Sequence, residues 1–222
     1  MVSARLHYVF DPLCGWCYGA APLIAAARAL PGIGLVLHGG GMMSGPNRQP
    51  VTPALRRYVM EHDKRIAALS GQTFGEAYFN GLLLDETAVF DSTPPIAAIL
   101  AAESLAGEGA ALLARLQAAH YREGRRIADP AVLADIVAEA GLSAGAFSDE
   151  LAKQLAEGSV DAHIRNSRDV LARIGGQGFP TLALETDGNW TRLDIGRYIG
   201  QPDAFAADLR DKVEVGATDR PR

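Results

Sequence analysis

Residues 4–10, Ala-Arg-Leu-His-Tyr-Val-Phe, alternate along the chain and are rich in aromatic and β-branched side chains, a pattern that predicts a strand; Asp11-Pro12 stops it. From Cys17 through Leu30 the apolar positions recur at helical spacing until Pro31-Gly32. Ile33 to His38 reads as a second strand, and Gly39-Gly40-Gly41 followed by Gly45-Pro46-Asn47 marks a break.

Beyond that break the period is helical. Thr52-Pro53 opens a helix that runs to Leu69, and Asp91 to Leu105 holds another, with Pro94-Pro95 tolerable in its first turn. Asp129-Pro130 pairs an N-cap with a first-turn proline, Val132, Leu133, Ile136 and Val137 follow at helical spacing, and Gly141 supplies the stop. Ser148 is read as the cap of a short helix carrying Leu151 and Leu155. Val160, Ile164, Val170, Leu171 and Ile174 form one face of a longer helix ending at Gly175-Gly176. Thr181 to Leu184 and Asn189 to Leu193 then make a hairpin around Asp187-Gly188, a turn pair that favours type I′. Pro202 to Val213 is a last helix, and Gly216 to Arg222 a loose tail.

The candidate chemistry sits at the first strand-to-helix junction. Cys14-Gly15-Trp16-Cys17 carries both cysteines of the 222-residue chain, so they are not a scaffold of bridges spread through a small domain. Cys14 falls at a helix N-terminus, where unpaired backbone N–H groups favour the thiolate, the species that attacks disulfides. Cys17, one turn on, is placed to resolve a mixed disulfide. Half a zinc site is the competing reading, but zinc needs about four ligands. No second pair exists: His7, His38, His62, His120 and His163 look isolated and follow no ligand spacing.

Phe10-Asp-Pro-Leu-Cys-Gly-Trp-Cys-Tyr-Gly19, with Gly176-Gln-Gly-Phe-Pro-Thr-Leu182 far downstream, resembles the DsbA-like branch of the thioredoxin fold, and within it the FrnE-like group of predicted protein-disulfide isomerases. The resemblance implies an α/β, thioredoxin-like fold: a central mixed sheet flanked by helices, with a large all-helical insertion. Residues 1–45 and 170–222 would form the discontinuous thioredoxin-like domain and residues 46–169 the insertion. It also implies that Cys14 is the nucleophile, Cys17 the resolving thiol, and Pro180 a cis-proline facing the pair. A cis bond there makes a tight turn that exposes the Phe179 backbone as an edge for an extended substrate, so Trp16, Phe179, Pro180 and Thr181 are the candidate substrate-binding residues. Gly15-Trp16 lacks both the histidine of strongly oxidising relatives and the proline of reducing thioredoxins, so Gly15 is a candidate tuning position and an intermediate potential is expected. No cofactor is expected beyond the Cys14-Cys17 pair, with glutathione or another low-molecular-weight thiol a candidate cosubstrate. The partner is then a disulfide- or dithiol-containing protein or a small thiol. Kappa-class glutathione transferases and chromene-carboxylate isomerases share this architecture but use a serine or a single activating residue at the first cysteine position; the retained Cys17 argues against that alternative.

Composition works by exclusion. A net charge of −5, with lysine only at 64, 153 and 212, gives no basic patch for nucleic acid. No run approaches the roughly 18 apolar residues of a membrane span. Met1 to Arg5 lead into the first strand without a secretory leader, so a cytoplasmic location is expected, where dithiols are more often catalytic or redox-sensing than structural. His38-Gly39-Gly40-Gly41 and Gly141-Leu142-Ser143-Ala144-Gly145 match esterase motifs, but a nucleophile elbow needs a strand before its serine, and here a helix runs into Gly141. Ser143 is better read as the cap of the next segment. Gly175-Gly176-Gln177-Gly178 likewise lacks the preceding strand of a dinucleotide loop.

Overall fold

The computed structural model describes residues 4–156 and 158–218. The leader-free reading of residues 1–3, and residues 219–222 of the expected tail, lie outside the described residues.

Four strands make the main sheet: β1 (Ala4–Phe10), β2 (Ile33–Gly39), and a later hairpin of β5 (Thr181–Thr186) and β6 (Asn189–Leu193). Their order is β2-β1-β5-β6, with β1 parallel to β2 and antiparallel to β5. β1 is therefore central, and of its seven residues only Arg5 is exposed. The hairpin turn falls at Asp187 (φ 50°) and Gly188 (φ 79°), the left-handed pair that a type I′ turn requires. A two-stranded ladder, β3 (Gln49–Pro50) with β4 (Val89–Phe90), lies within the inserted region and ties the segment leading into its first helix to the segment leading into the helix at Thr93–Ala106.

The expected first helix is two helices, α1 (Gly15–Gly19) and α2 (Ala21–Arg28). Pro22 is the reason: it has no N–H to give to residue 18 and its ring crowds that carbonyl, so the helix breaks at Ala20 and restarts. The inserted region holds α3 (Pro53–Ser70), the single turn α4 (Glu76–Phe79), α5 (Thr93–Ala106), α6 (Gly109–Tyr121), α7 (Pro130–Glu139), α8 (Ala144–Ala156) and α9 (Ser159–Arg173). Thr52 caps α3 by accepting the Leu55 N–H at 3.1 Å, and Gly71 ends it in the left-handed region. Asp129 occupies the N-cap position of α7 without a side-chain cap bond. Ser148 lies inside α8 rather than capping it; the helix begins directly after Ser143. The final helix, α10 (Pro202–Thr218), runs past Val213 into the stretch expected to be tail.

Sheet and inserted helices share one apolar cluster that runs from Leu6 and Phe10 through Ile99, Leu116 and Ile136 to Phe205 and Leu209. A boundary at 169/170 would cut α9, which packs on β2 of the sheet as well as on α5 and α8. Among the described residues no helix is long and apolar enough to cross a membrane.

Leu6 is fully buried at the centre of β1. Truncation to alanine leaves a cavity with strands on both sides, so Leu6→Ala is expected to lower stability by about 2–5 kcal/mol in urea unfolding.

Candidate active site

The site is built around a carboxylate. Asp11 follows β1 and is fully buried. One of its oxygens accepts the Leu13 N–H at 2.9 Å and the Ser92 hydroxyl at 2.9 Å, and the other accepts the Met42 N–H at 2.6 Å. Three segments distant in sequence thereby meet: the turn into the cysteines, the loop after β2, and the start of α5. The same residue's backbone N–H donates to Cys17 Sγ at 3.5 Å.

Cys14 occupies the N-cap of α1 in extended conformation, and its thiol donates to the Phe179 carbonyl at 3.4 Å. The Phe179–Pro180 peptide bond is cis. Both sulfurs are free thiols. Cys14 is 6% exposed and Cys17 0%, so exposure alone barely separates them. The cavity does. A cleft of about 310 Å³ between α1 and α3 is lined by Cys14, Gly15 and Trp16, while Cys17 is not on its wall. Burial, and then the neighbouring Cys14, push the Cys17 thiol up, which favours its protonated form.

The loop carrying Phe179 is held by packing against Gly40, where an added Cβ would stand 2.2 Å from the phenyl ring. Arg168 on α9 holds the loop after β2, on which the Phe179 ring rests, its Nε donating to Gly40 O at 2.9 Å and its Nη2 to Gly41 O at 2.6 Å. Thr181 begins β5 and turns its hydroxyl back to Gly178 O at 2.7 Å. Of the aromatics and methionines near the site, Met42, Met43 and Tyr78 line the cleft. Phe74 and Phe79 do not; they stack on each other, and Phe74 packs edge-on against Tyr18 and Tyr121.

Two histidines that look isolated in sequence are paired. His7 on β1 and His38 on β2 lie 3.0 Å apart, His7 also meets Glu185 at 3.0 Å, and Trp190 stacks on the His7 ring. His163 on α9 accepts the Gly39 N–H at 2.9 Å. The His163 contact seats α9 on the sheet, one turn before Arg168. Among the described residues no group of three or more His, Cys, Asp or Glu is arranged to hold a metal ion.

The structure adds Asp63, which the periodicity of α3 does not distinguish from any other helical polar residue. It is 4% exposed, lines the cleft, and accepts the Tyr78 hydroxyl at 2.8 Å. Its Oδ1 stands against Gly15, where a Cβ would lie 2.5 Å away, so only glycine fits between the cysteines at this point.

A thioredoxin-like sheet presenting a buried-and-accessible cysteine pair beneath a proline loop defines a thiol-disulfide oxidoreductase. The chain belongs to the DSBA-like thioredoxin domain family, whose model matches residues 5–197. It is similar to the cytosolic disulfide reductase DsbM of Pseudomonas aeruginosa, at 55% identity over 95% of this chain and 99% of that one, with a TM-score of 0.90. The structure of that protein with GSH aligns at 52% identity over 95% and 99% of the two chains, with a TM-score of 0.88. A putative protein disulfide isomerase of Nitrosomonas europaea shares the fold, at 21% identity over 95% and 97% and a TM-score of 0.76. A search of curated proteins gives no match.

Burial raises the Asp11 and Asp63 carboxyls from 3.8 to about 6. A carboxyl whose folded pKa is raised binds its proton more tightly in the native state, so its stabilising contribution is full below about pH 4 and is lost as pH rises through 6. His38 and His120, pulled down by burial to about 4 and about 3, act in the opposite direction. The variant-minus-wild-type difference therefore isolates one group. Asp63→Asn is expected to gain on wild type by up to about 3 kcal/mol between pH 4 and pH 7, measured by urea unfolding at fixed ionic strength.

Proposed function

We propose that this protein reduces disulfides in the cytosol with a low-molecular-weight thiol, glutathione being the leading candidate, as its electron source. The observation that carries this is the placement of Cys14 on the wall of a largely apolar 310 Å³ cleft with Cys17 sealed behind it. Small-ligand sites have that size and character. The Pseudomonas disulfide reductase, described as cytosolic and solved with GSH, supports the direction, the compartment and the thiol.

The steps balance as follows. Cys14 thiolate attacks one sulfur of the substrate disulfide, the S–S bond breaks, and the departing thiolate takes a proton. Cys17 then loses its proton and attacks Cys14 Sγ, releasing the second substrate thiol and leaving a Cys14–Cys17 disulfide. Two electrons have passed to the substrate. Two molecules of glutathione return the pair to the dithiol by the same exchange in reverse, forming glutathione disulfide. Phe179 supplies the backbone edge beside Cys14 along which an extended substrate pairs, with Pro180 and Thr181 shaping the turn, while Trp16 contacts what enters the cleft whose wall it shares with Cys14. Isomerisation of protein disulfides uses the same Cys14 attack, with Cys17 as the release when rearrangement stalls.

Equilibration in graded glutathione buffers, with alkylation and mass analysis of each cysteine, tests this reading. One reversible two-electron transition is expected, with a midpoint between about −270 and −180 mV, the range from thioredoxin to protein disulfide isomerase. Cys17→Ser is expected to accumulate a Cys14–glutathione adduct, and Cys14→Ser to form none. A midpoint near the −120 mV of a dedicated oxidant overturns the reductive direction. A wild-type protein that halts at the Cys14–glutathione adduct instead establishes the transferase-like alternative.

A further inference from the structure

Asp63 is the one carboxylate on the cleft wall, and His62 the one basic side chain there. Asp63 Oδ2 is engaged by the Tyr78 hydroxyl, whereas Oδ1 receives no hydrogen bond among the described residues. That free oxygen lies between Gly15 and Tyr78, both of which line the cleft. No Lys or Arg is among the lining residues. The nearest basic side chain on the wall, His62, turns its Nδ1 to its own helix at Tyr58 O, 2.8 Å away, and stacks beside the exposed Tyr58 ring at the rim. The other titratable groups facing the cleft are Cys14, Tyr58, Tyr78 and Tyr121.

A buried carboxylate is costly unless a cation or a full set of hydrogen bonds compensates for lost water. Asp63 has a single such bond. If its task were only to receive the Tyr78 hydroxyl, an uncharged acceptor would do so at lower cost. Asp11 provides the internal contrast: it is more deeply buried, accepts three donors and has the permanently charged Arg168 nearby, whereas Asp63 has one donor and only the neighbouring His62 to favour its charge. Asp11 is a finished structural group, while Asp63 is left with an open anionic oxygen one residue from the nucleophilic cysteine.

We propose that Asp63 is a recognition residue that takes the ammonium group of the small thiol or disulfide bound in the cleft. The class of ligand is thus an aminothiol: a sulfur that reaches Cys14 and a protonated amine that reaches Asp63 Oδ1. Glutathione carries such an amine, so this deepens the reading above and rests on it. Disulfides whose arms near the sulfur bear only carboxylates are disfavoured by the same charge.

The test uses three disulfides of equal length: cystamine with ammonium groups, bis(2-hydroxyethyl) disulfide with hydroxyls, and dithiodiglycolate with carboxylates. Reduced wild type and Asp63→Asn are mixed with each at pH 7.5, quenched by alkylation at intervals, and the rate of intramolecular disulfide formation is read by mass. Differences in intrinsic reactivity among the probes cancel when the two proteins are compared. The cystamine to dithiodiglycolate rate ratio is expected to fall about tenfold in Asp63→Asn, the factor that 1.4 kcal/mol corresponds to. A change of less than twofold overturns the proposal. Wild type alone gives a second readout that needs no variant. The cystamine to bis(2-hydroxyethyl) disulfide ratio should drop as pH is lowered from 7.5 to 5, because the thiolate requirement of Cys14 is common to both probes; a flat ratio also overturns it. Oxidation by all three probes with unchanged selectivity removes only this assignment. Failure of every probe to produce the Cys14–Cys17 disulfide removes the reductase reading and this assignment together.

Discussion

A carboxylate taken out of water has to be surrounded by donors, and the way Asp11 meets that requirement organises the whole site. Its side chain gathers the Leu13 N–H, the Met42 N–H and the Ser92 hydroxyl, while its own N–H reaches Cys17 Sγ. The turn that presents the cysteines, the loop that Phe179 leans on, and the start of α5 are thus fixed relative to one another by one buried group. Residues spread from position 11 to position 92 can then act as one surface because the low dielectric around Asp11 makes each of those hydrogen bonds expensive to break.

The opposite wall is positioned by shape. Gly15 and Gly19 leave no room for a side chain between α1 and α3, where a Cβ on either would meet Asp63 or Ile66 within 2.7 Å. α3 therefore approaches the cysteine helix closely enough to close a cleft over Cys14. On the far side of that cysteine, Gly40 does the same for the Phe179 ring, and Arg168 anchors the loop from α9. The inserted helices are thus part of the site, and they share a single apolar core with the sheet.

The two thiols are chemically distinct for reasons of environment. Cys14 opens onto the cleft and gives its proton to a backbone carbonyl on the proline loop; Cys17 is enclosed and held protonated by desolvation. In the proposed mechanism that division has one sulfur meet the substrate and reserves the other, one helical turn away, for the intramolecular step.

Much of this was legible in the chain. The spacing of Cys14 and Cys17 after an apolar strand, the Asp187-Gly188 turn, the Thr52-Pro53 cap and the glycine stop at 141 are local signals, because turn and cap energetics depend on a few neighbouring residues. Pro22 was equally local, yet its break in the first helix is hidden by the alanine-rich run around it. Sequence alone could not mark Asp11, Asp63, Arg168 or the meeting of His7 with His38, since each owes its role to a partner many residues away. What the sequence by itself determined is the redox pair, the order of elements and the fold they imply. What only the tertiary structure decided is which thiol lines the cleft, which buried carboxylate gathers three donors and which has one. Burial and long-range hydrogen bonding are properties of the packed chain and have no period along it.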